Sequence, residues 1–228
     1  MTTSSGGSAA ELTLAFLGGT GDQGRGLARR FAMAGNRVIL GSRQAERAEQ
    51  AAAELAATVP DPSLVSGSDN QAAAERADVV VVAVPWEGHE ALVGAVAPAV
   101  AGKIVIDCVN PMGFDDKGAF ALEVVDGSAA QQAARLLPES TVVAAFHHVS
   151  AVLLLDPEVD RIETDVLVLG DNREATDLVQ ALVDRIAGMR GVYGGRLRNA
   201  GQVEALTANL VSINRRYKAH AGLRITDV

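Results

Sequence analysis

Short apolar runs alternate with amphipathic stretches along most of this chain, and that pattern predicts strands followed by helices. The apolar runs predict buried strands over residues 12–17, 37–40, 79–84, 104–108, 141–146 and 166–169. The amphipathic or alanine-rich stretches predict helices over residues 25–34, 46–57, 91–100, 128–136, 175–186 and 199–217. We expect residues 66–77, which are polar, to be helical in part, and residues 115–119 to form a loop.

The alternation of strands and helices predicts an α/β fold with a mostly parallel sheet and helices on both faces. Right-handed crossovers then make the sheet doubly wound. We expect a main domain over residues 11–150 and a smaller, α-rich C-terminal part over residues 151–228. Residues 1–10 are mainly Ser, Thr, Gly and Ala, which predicts a flexible tail. We interpret the apolar stripe of the last helix as core packing.

Composition and net charge argue against several classes of protein. The chain has 228 residues, 48% of them hydrophobic, which is enough for a sizeable core. Its net charge of −8 argues against a protein that binds nucleic acid or an anionic membrane. The single cysteine, Cys108, excludes an intrachain disulfide and a multi-cysteine metal site, and we find no metal-binding spacing. With no apolar run of about 18 residues and no signal peptide, we expect a cytoplasmic protein without a membrane span.

A glycine motif follows the first predicted strand and opens the first predicted helix. Gly19, Gly21 and Gly24 match the spacing GxGxxG, which in this context is typical of a Rossmann-type dinucleotide site. The first glycine permits the tight turn, the second lets the pyrophosphate approach the backbone, and the third lets helix and strand pack closely. The alternative is a glycine-rich turn without a ligand. We predict that the cofactor contacts include Gly19, Thr20, Gly21, Asp22, Gln23 and Gly24.

The end of the second predicted strand favours NADP over NAD. An NAD enzyme usually has a carboxylate there, whereas this chain has Ser42 and Arg43, followed by Arg47. If the helix begins near Ser42, the two arginines share one helical face and can hold a 2′-phosphate between them. The alternative is a pair of solvated surface arginines.

Three segments follow strands at the edge of the sheet where ligands of doubly wound folds bind. They supply apolar walls and few polar groups, as is typical of a cofactor pocket. The candidates there are Val84, Pro85, Trp86, Asn110, Met112 and His147. Trp86 fits a core position equally well.

The polar groups of these segments offer little acid–base chemistry. His147 and His148 would point opposite ways on an extended chain, so one of them can contact a ligand while the other is structural. Cys108 ends a strand, where an inert thiol is expected. The shortage of proton-transfer groups suits direct hydride exchange between two bound cofactors.

The sequence resembles the NADPH:coenzyme F-420 oxidoreductases, also called F-420-dependent NADP reductases. The resemblance rests on the glycine turn, on Gly41-Ser42-Arg43, on Val84-Pro85-Trp86-Glu87 and on Phe146-His147, and it continues through residues 197–210. It implies a homodimeric oxidoreductase that moves hydride reversibly between NADP(H) and coenzyme F-420, an 8-hydroxy-5-deazaflavin. The C-terminal part would then form a wall of the deazaflavin cleft and the dimer contacts.

The resemblance also implies roles for single residues. Ser42, Arg43 and Arg47, with Thr20, match the 2′-phosphate site, and residues 20–23 match the pyrophosphate loop. Trp86, Met112 and Ala151 match positions near the nicotinamide. His147 falls at the deazaflavin edge, where a positioning role is the one catalytic contribution we assign.

The sequence argues against one alternative and leaves two others open. The chain also resembles the reductase part of membrane ferric reductases, but we see no membrane segment. An NADPH-dependent reductase of a small carbonyl or imine usually has a Lys or Tyr proton donor, and neither Tyr193 nor Tyr217 is well placed for that role. A non-catalytic NADP-sensing module would bind NADPH without turnover. Candidates for pairing with the anionic deazaflavin tail are Arg196, Arg198 and Lys218.

Overall fold

A computed structural model describes residues 8–228, and an eight-stranded, mostly parallel sheet runs through its centre. The strands are β1 (Thr13–Leu17), β2 (Arg37–Ser42), β3 (Val65–Asp69), β4 (Val79–Val82), β5 (Ile104–Asp107), β6 (Met112–Asp115), β7 (Gly118–Ala121), β8 (Thr141–Ala144), β9 (Thr164–Gly170) and β10 (Met189–Gly195). The helices are α1 (Asp22–Met33), α2 (Ala45–Ala56), α3 (Asn70–Arg76), α4 (His89–Val100), α5 (Ala129–Leu136), α6 (Ala151–Leu155), α7 (Arg173–Val183) and α8 (Ala200–Tyr217). The strands β6 and β7 form a separate antiparallel hairpin.

The strand order of the large sheet is β10-β9-β8-β5-β4-β1-β2-β3. Its last six members, read from the far edge as β3-β2-β1-β4-β5-β8, are all parallel and have the order of a Rossmann fold. This confirms the predicted fold class. The order reverses between β1 and β4, so a crevice opens beyond the carboxyl ends of these two strands.

Hydrophobic cores cover both faces of the sheet. Every valine of β4 is buried, with Val79 and Val81 on one face and Val80 and Val82 on the other. An aromatic chain lies on the first face, where the Phe31 ring is 6.0 Å from the rings of Phe16 and Phe146. The predicted buried valine strand is therefore correct, because a central parallel strand needs apolar side chains on both sides.

Several local predictions were wrong or incomplete. Residues 115–119, expected to be a loop, belong to the β6–β7 hairpin, whose turn uses Gly118 at φ 127°. The polar segment expected to be partly helical begins with the strand β3, where a Cβ on Gly67 would lie 2.3 Å from the Ala48 carbonyl oxygen. Because α2 approaches so closely, this position requires a small residue. The segment therefore has no apolar run from which a strand could be predicted. The elements α6 and β10 were not predicted.

The C-terminal residues extend the same sheet with β9 and β10 and add the helices α6, α7 and α8. The predicted tail lies partly outside the described residues, since residues 1–7 are not among them. Within it, the Ala9 carbonyl accepts a hydrogen bond from Asn36 Nδ2 at 2.8 Å. Among residues 8–228, no helix combines the length and the apolar character that a membrane crossing requires.

Candidate functional site

The three motif glycines, two in the turn after β1 and one in the first turn of α1, each meet a different steric demand. A Cβ on Gly19 would lie 2.6 Å from the Phe16 carbonyl oxygen, and one on Gly24 would lie 2.8 Å from the Gly19 Cα. A Cβ on Gly21 would meet nothing closer than the Gly18 carbonyl oxygen at 3.5 Å. The first and third glycines are therefore required by the fold, whereas Gly21 presents a face that a ligand can approach.

The first turn of α1 leaves its backbone amides available. Gly21 is the N-cap residue and gives no side-chain cap to the helix. The Asp22 carboxylate turns outward and pairs with Arg25 at 2.9 Å. Gln23 Nε2 donates to the Phe146 carbonyl oxygen at 3.3 Å, which ties the turn to the segment after β8. Free amides and the helix dipole together suit a pyrophosphate.

A pocket of about 270 Å³ lies where the strand order reverses. It brings together residues that follow β1, β4 and β5, namely Gly21, Asp22, Gln23, Ala83, Val84, Pro85, Cys108, Val109 and Asn110. Burial raises the pKa of the Cys108 thiol, so this group stays protonated and inert at neutral pH. The pocket therefore combines a phosphate-binding turn with an apolar wall.

Ser42 and Arg43 lie at the end of β2, beside the glycine turn, where the Gly19 amide donates to the Gly41 carbonyl at 2.9 Å. The helix α2 begins only at Ala45, so Arg43 precedes it and does not share a helical face with Arg47. The condition under which the two arginines would share a helical face, a helix that begins near Ser42, is therefore not met, whereas the predicted helix over residues 46–57 matches α2. Both arginines are exposed, and no carboxylate of residues 8–228 pairs with either.

The segment after β8 carries a buried histidine in a constrained turn. Phe146 has φ 66°, a conformation that bulky residues rarely adopt and that often marks a functional site. The next carbonyl, of His147, accepts hydrogen bonds from Asn110 Nδ2 at 2.7 Å and Thr207 Oγ1 at 3.1 Å. Burial lowers the pKa of His147 to about 4, so its ring is neutral at pH 7. Neither ring nitrogen has a hydrogen-bond partner within residues 8–228.

His148 has a different environment from its neighbour. Its Nε2 accepts a hydrogen bond from the Leu167 amide of β9 at 3.3 Å, and burial lowers its pKa to about 4. The two histidines lie in a turn rather than on an extended chain, which corrects the geometry we expected. His148 is therefore tied to β9 through one ring nitrogen, whereas its Nδ1 and both ring nitrogens of His147 have no partner within residues 8–228.

The remaining site predictions lie around this pocket rather than among the residues that line it. Trp86 is half-buried, and its ring centroid is 5.5 Å from that of His89. Met112 is half-buried at the start of β6, and Ala151 is half-buried at the start of α6. Thr20 is half-buried within the glycine turn.

A buried polar network beneath the pocket was missed from the sequence. His89 Nδ1 lies 2.8 Å from Gln132 Oε1, and His89 Nε2 lies 2.6 Å from Asp107 Oδ2. Although burial opposes protonation, these two contacts raise the pKa of His89 above its ordinary value. With the Gln132 amide oriented so, both ring nitrogens face acceptors, an arrangement that the doubly protonated ring satisfies. The one available signal was a lone aspartate ending the apolar run of β5.

Glu204 of α8 belongs to the same region. Its carboxylate accepts hydrogen bonds from the amides of Ala129 and Ala130 at 2.9 and 3.2 Å, which caps α5. Burial raises the pKa of Glu204 to about 7 despite these bonds.

Residues 8–228 offer few groups for metal binding or for proton transfer at the pocket. Within residues 8–228, no cluster of three His, Cys, Asp or Glu side chains is placed to hold a metal ion. Tyr193 and Tyr217 are 51% and 73% exposed, outside the pocket, and no lysine or tyrosine of residues 8–228 lines it. The pocket therefore lacks the proton donor expected of a carbonyl or imine reductase.

Comparison with known proteins relates 95% of this chain to curated F420-dependent NADP reductases. A family model described as "NADP oxidoreductase coenzyme F420-dependent" matches residues 13–111. The F420-dependent NADP reductase of Methanothermobacter marburgensis is 40% identical over 223 residues, which cover 95% of this chain and 99% of that protein. The protein of the same name from Methanocaldococcus jannaschii is 35% identical over 95% of this chain and 99% of its own length. A crystal structure from Arthrobacter sp. FB24, assigned as an F420-dependent NADP reductase, matches with a TM-score of 0.79 at 26% identity and covers 94% of this chain and 99% of its own.

Proposed function

This chain belongs to the F420-dependent NADP reductases, and we propose that the crevice beyond β1, β4 and β5 holds its two cofactors in contact. The enzyme transfers hydride between NADP(H) and coenzyme F-420. One observation carries the placement: a single pocket joins the open face of Gly21 to the apolar wall at Val84 and the amide of Asn110.

The NADP half of the proposal rests on charge and sterics. The amides of Thr20 and of residues 22–24 would bind the pyrophosphate, since α1 has no side-chain cap that competes for them, whereas the Gly21 amide donates to the Gly18 carbonyl at 3.0 Å. Ser42, Arg43 and Arg47 would hold the 2′-phosphate, because both guanidinium groups are exposed and have no carboxylate partner among the described residues. An arginine there distinguishes NADP from NAD.

The reacting rings would meet at the apolar end of the pocket. Val84, Pro85 and Trp86 would flank the nicotinamide, with Met112 and Ala151 nearby and His147 at the deazaflavin edge. The neutral ring of His147 is only 2% exposed and neither of its nitrogens is accessible, so it would shape the edge of the site by packing and without adding a charge. Once both cofactors are bound, they supply the hydride chemistry, and the protein excludes water and aligns the rings.

We also propose the division into domains and the homodimer that the family resemblance implied. Residues 11–150 would form the NADP-binding domain, and residues 151–228 would form a cleft wall and dimer contacts in a cytoplasmic homodimer. The contact of Thr207 in α8 with the His147 carbonyl supports the cleft wall. Ile213 and Tyr217, both exposed on α8, supply apolar surface for a dimer.

The test is a rapid-mixing experiment in which NADPH and coenzyme F-420 are added to the purified protein. We expect the deazaflavin absorbance to bleach at a rate that saturates with both cofactors. Tight NADPH binding without bleaching would contradict the proposal and favour an NADP-sensing module. NADPH oxidation by a small imine or carbonyl, without deazaflavin reduction, would favour the other enzyme class.

A further inference from the structure

A second, larger cavity lies between the β6–β7 hairpin and the C-terminal half of α8. Its volume is about 630 Å³, and its lining includes Phe114, Asp115, Lys117, Ser212, Arg215 and Arg216. It is distinct from the pocket at the glycine turn and shares no lining residue with it.

The charge of this groove is opposite to that of the whole chain. Lys117, Arg215 and Arg216 are exposed, and no carboxylate within residues 8–228 lies within 4.0 Å of their charged groups. The one acidic lining residue, Asp115, is engaged in the hairpin turn, where its Oδ1 accepts from the amides of Lys117 and Gly118 at 2.8 and 3.0 Å. In a chain of net charge −8, three cations without partners around one cavity form a local anion site.

Both walls of the groove begin at the cofactor crevice. Thr207 of α8 contacts the His147 carbonyl, and Arg215 lies two helical turns further on, about 12 Å along the axis. The hairpin begins at Met112, two residues after Asn110, which lines the crevice. A molecule whose ring lies near His147 can therefore extend directly into the groove.

We propose that this groove binds the anionic side chain of coenzyme F-420 through Lys117, Arg215 and Arg216. The proposal rests on the proposed function, because it takes the deazaflavin ring to lie near His147. Guanidinium groups bind phosphodiester and carboxylate oxygens in pairs, and the Ser212 hydroxyl adds a further donor. Without such a site, the net negative charge of the protein would repel this substrate.

A second copy of the chain is the competing occupant of the groove. At 100° per residue along α8, the lining residues Val211, Ser212, Arg215 and Arg216 centre about 150° away from the midpoint of Ile213 and Tyr217. The exposed apolar surface that suits a dimer contact is therefore centred on the far side of α8 from the groove, and only Ile213 borders a groove cation, Arg216.

The test compares two substrates that differ only in the side chain. One is coenzyme F-420, and the other is 8-hydroxy-5-deazariboflavin, which has the ring and ribityl chain but no phosphodiester or carboxylate. In the triple variant Lys117→Ala, Arg215→Ala, Arg216→Ala, we expect the KM for coenzyme F-420 to rise about tenfold or more. The KM values for 8-hydroxy-5-deazariboflavin and NADPH should change less than about twofold. Arg173→Ala, at an exposed arginine of α7, is the matched control and should change none of them.

Several results would overturn the proposal. An unchanged KM for coenzyme F-420, or an equal rise for both deazaflavins, would show that the cations do not bind the side chain. A change in subunit number by light scattering, with equal effects on both substrates, would assign the groove to a second copy. Arg216→Glu alone provides a milder change that should give the same selectivity. If the wild-type protein reduces neither deazaflavin, the proposed function itself fails, and this result is separate from the others.

Discussion

His89 Nε2 lies 2.6 Å from Asp107 Oδ2, and both side chains are fully buried beneath the cofactor crevice. The other carboxylate oxygen of Asp107 accepts the Val109 amide at 3.0 Å, one residue before Asn110. The His89 ring also lies against Trp86. This ion pair therefore connects two segments that lie at the crevice, the turn after β4 and the turn after β5.

We predict that His89→Ala lowers the free energy of unfolding by about 3 kcal/mol or more, because it leaves a buried carboxylate without its partner. Asp107→Asn should cost clearly less, since an asparagine can still accept the Val109 amide and contact the ring. Urea unfolding of both variants measures the difference. If His89→Ala were as stable as the wild type, the pair would not stabilise this region, and equal losses in the two variants would show that the hydrogen bonds kept by asparagine contribute little.

The double variant Arg43→Ala, Arg47→Ala should raise the KM for NADPH by about 100-fold, because two charge-assisted contacts with the 2′-phosphate are lost. The KM for NADH should change by less than about threefold, since NADH has no such phosphate. Steady-state kinetics with each nucleotide measure both values, and Arg173→Ala is the control. A similar rise for both nucleotides would refute the assignment of NADP.

Gly21→Ala and Gly24→Ala should fail in different ways. An added methyl at Gly21 has room within the protein but occupies the path of the pyrophosphate. We therefore expect the melting temperature to be almost unchanged and the KM for NADPH to rise about tenfold or more. Gly24→Ala forces a methyl to within 2.8 Å of the Gly19 Cα, so its melting temperature should fall by several degrees. A normal KM in Gly21→Ala would place the pyrophosphate elsewhere.

His148 should make the protein less stable in mild acid. Its pKa is about 4 in the fold against an ordinary value of 6.5, so the unfolded chain binds more protons between these limits. Its contribution is complete above pH 6.5 and is lost as the pH falls toward 4, by up to roughly 3 kcal/mol. Urea unfolding of the wild type and of His148→Gln across this range isolates the effect, because His147 and Glu204 titrate in both. Parallel curves for the two proteins would refute it.

The sequence predicted those strands and turns whose residues are determined by their immediate neighbours along the chain. The valine run of β4 and the spacing of Gly19, Gly21 and Gly24 follow from the periodicity of a covered strand and the sterics of one turn. The strand β3 could not be predicted in the same way. Its residues are small and polar because α2 packs closely against it at Gly67, so the segment has no apolar pattern.

The buried network depends on contacts that no local pattern contains. Glu204 caps α5 from 75 residues away, and His89 meets Asp107 across 18 residues of chain. The difference between His147 and His148 arises from the turn at Phe146 and from the neighbouring strand β9. From the sequence, the candidates for pairing with the deazaflavin tail were Arg196, Arg198 and Lys218, because only the fold places Lys117 and Arg216 at one groove.

The central claim is that hydride passes directly between two cofactors that meet in one crevice. The most direct test supplies coenzyme F-420 and NADPH deuterated at the transferred position of nicotinamide C4, and then locates the label by mass spectrometry and NMR. We predict that the deuterium appears at C5 of the deazaflavin, with none exchanged into water. Loss of the label to solvent, or a deazaflavin that stays oxidised while NADPH is bound, would contradict the account.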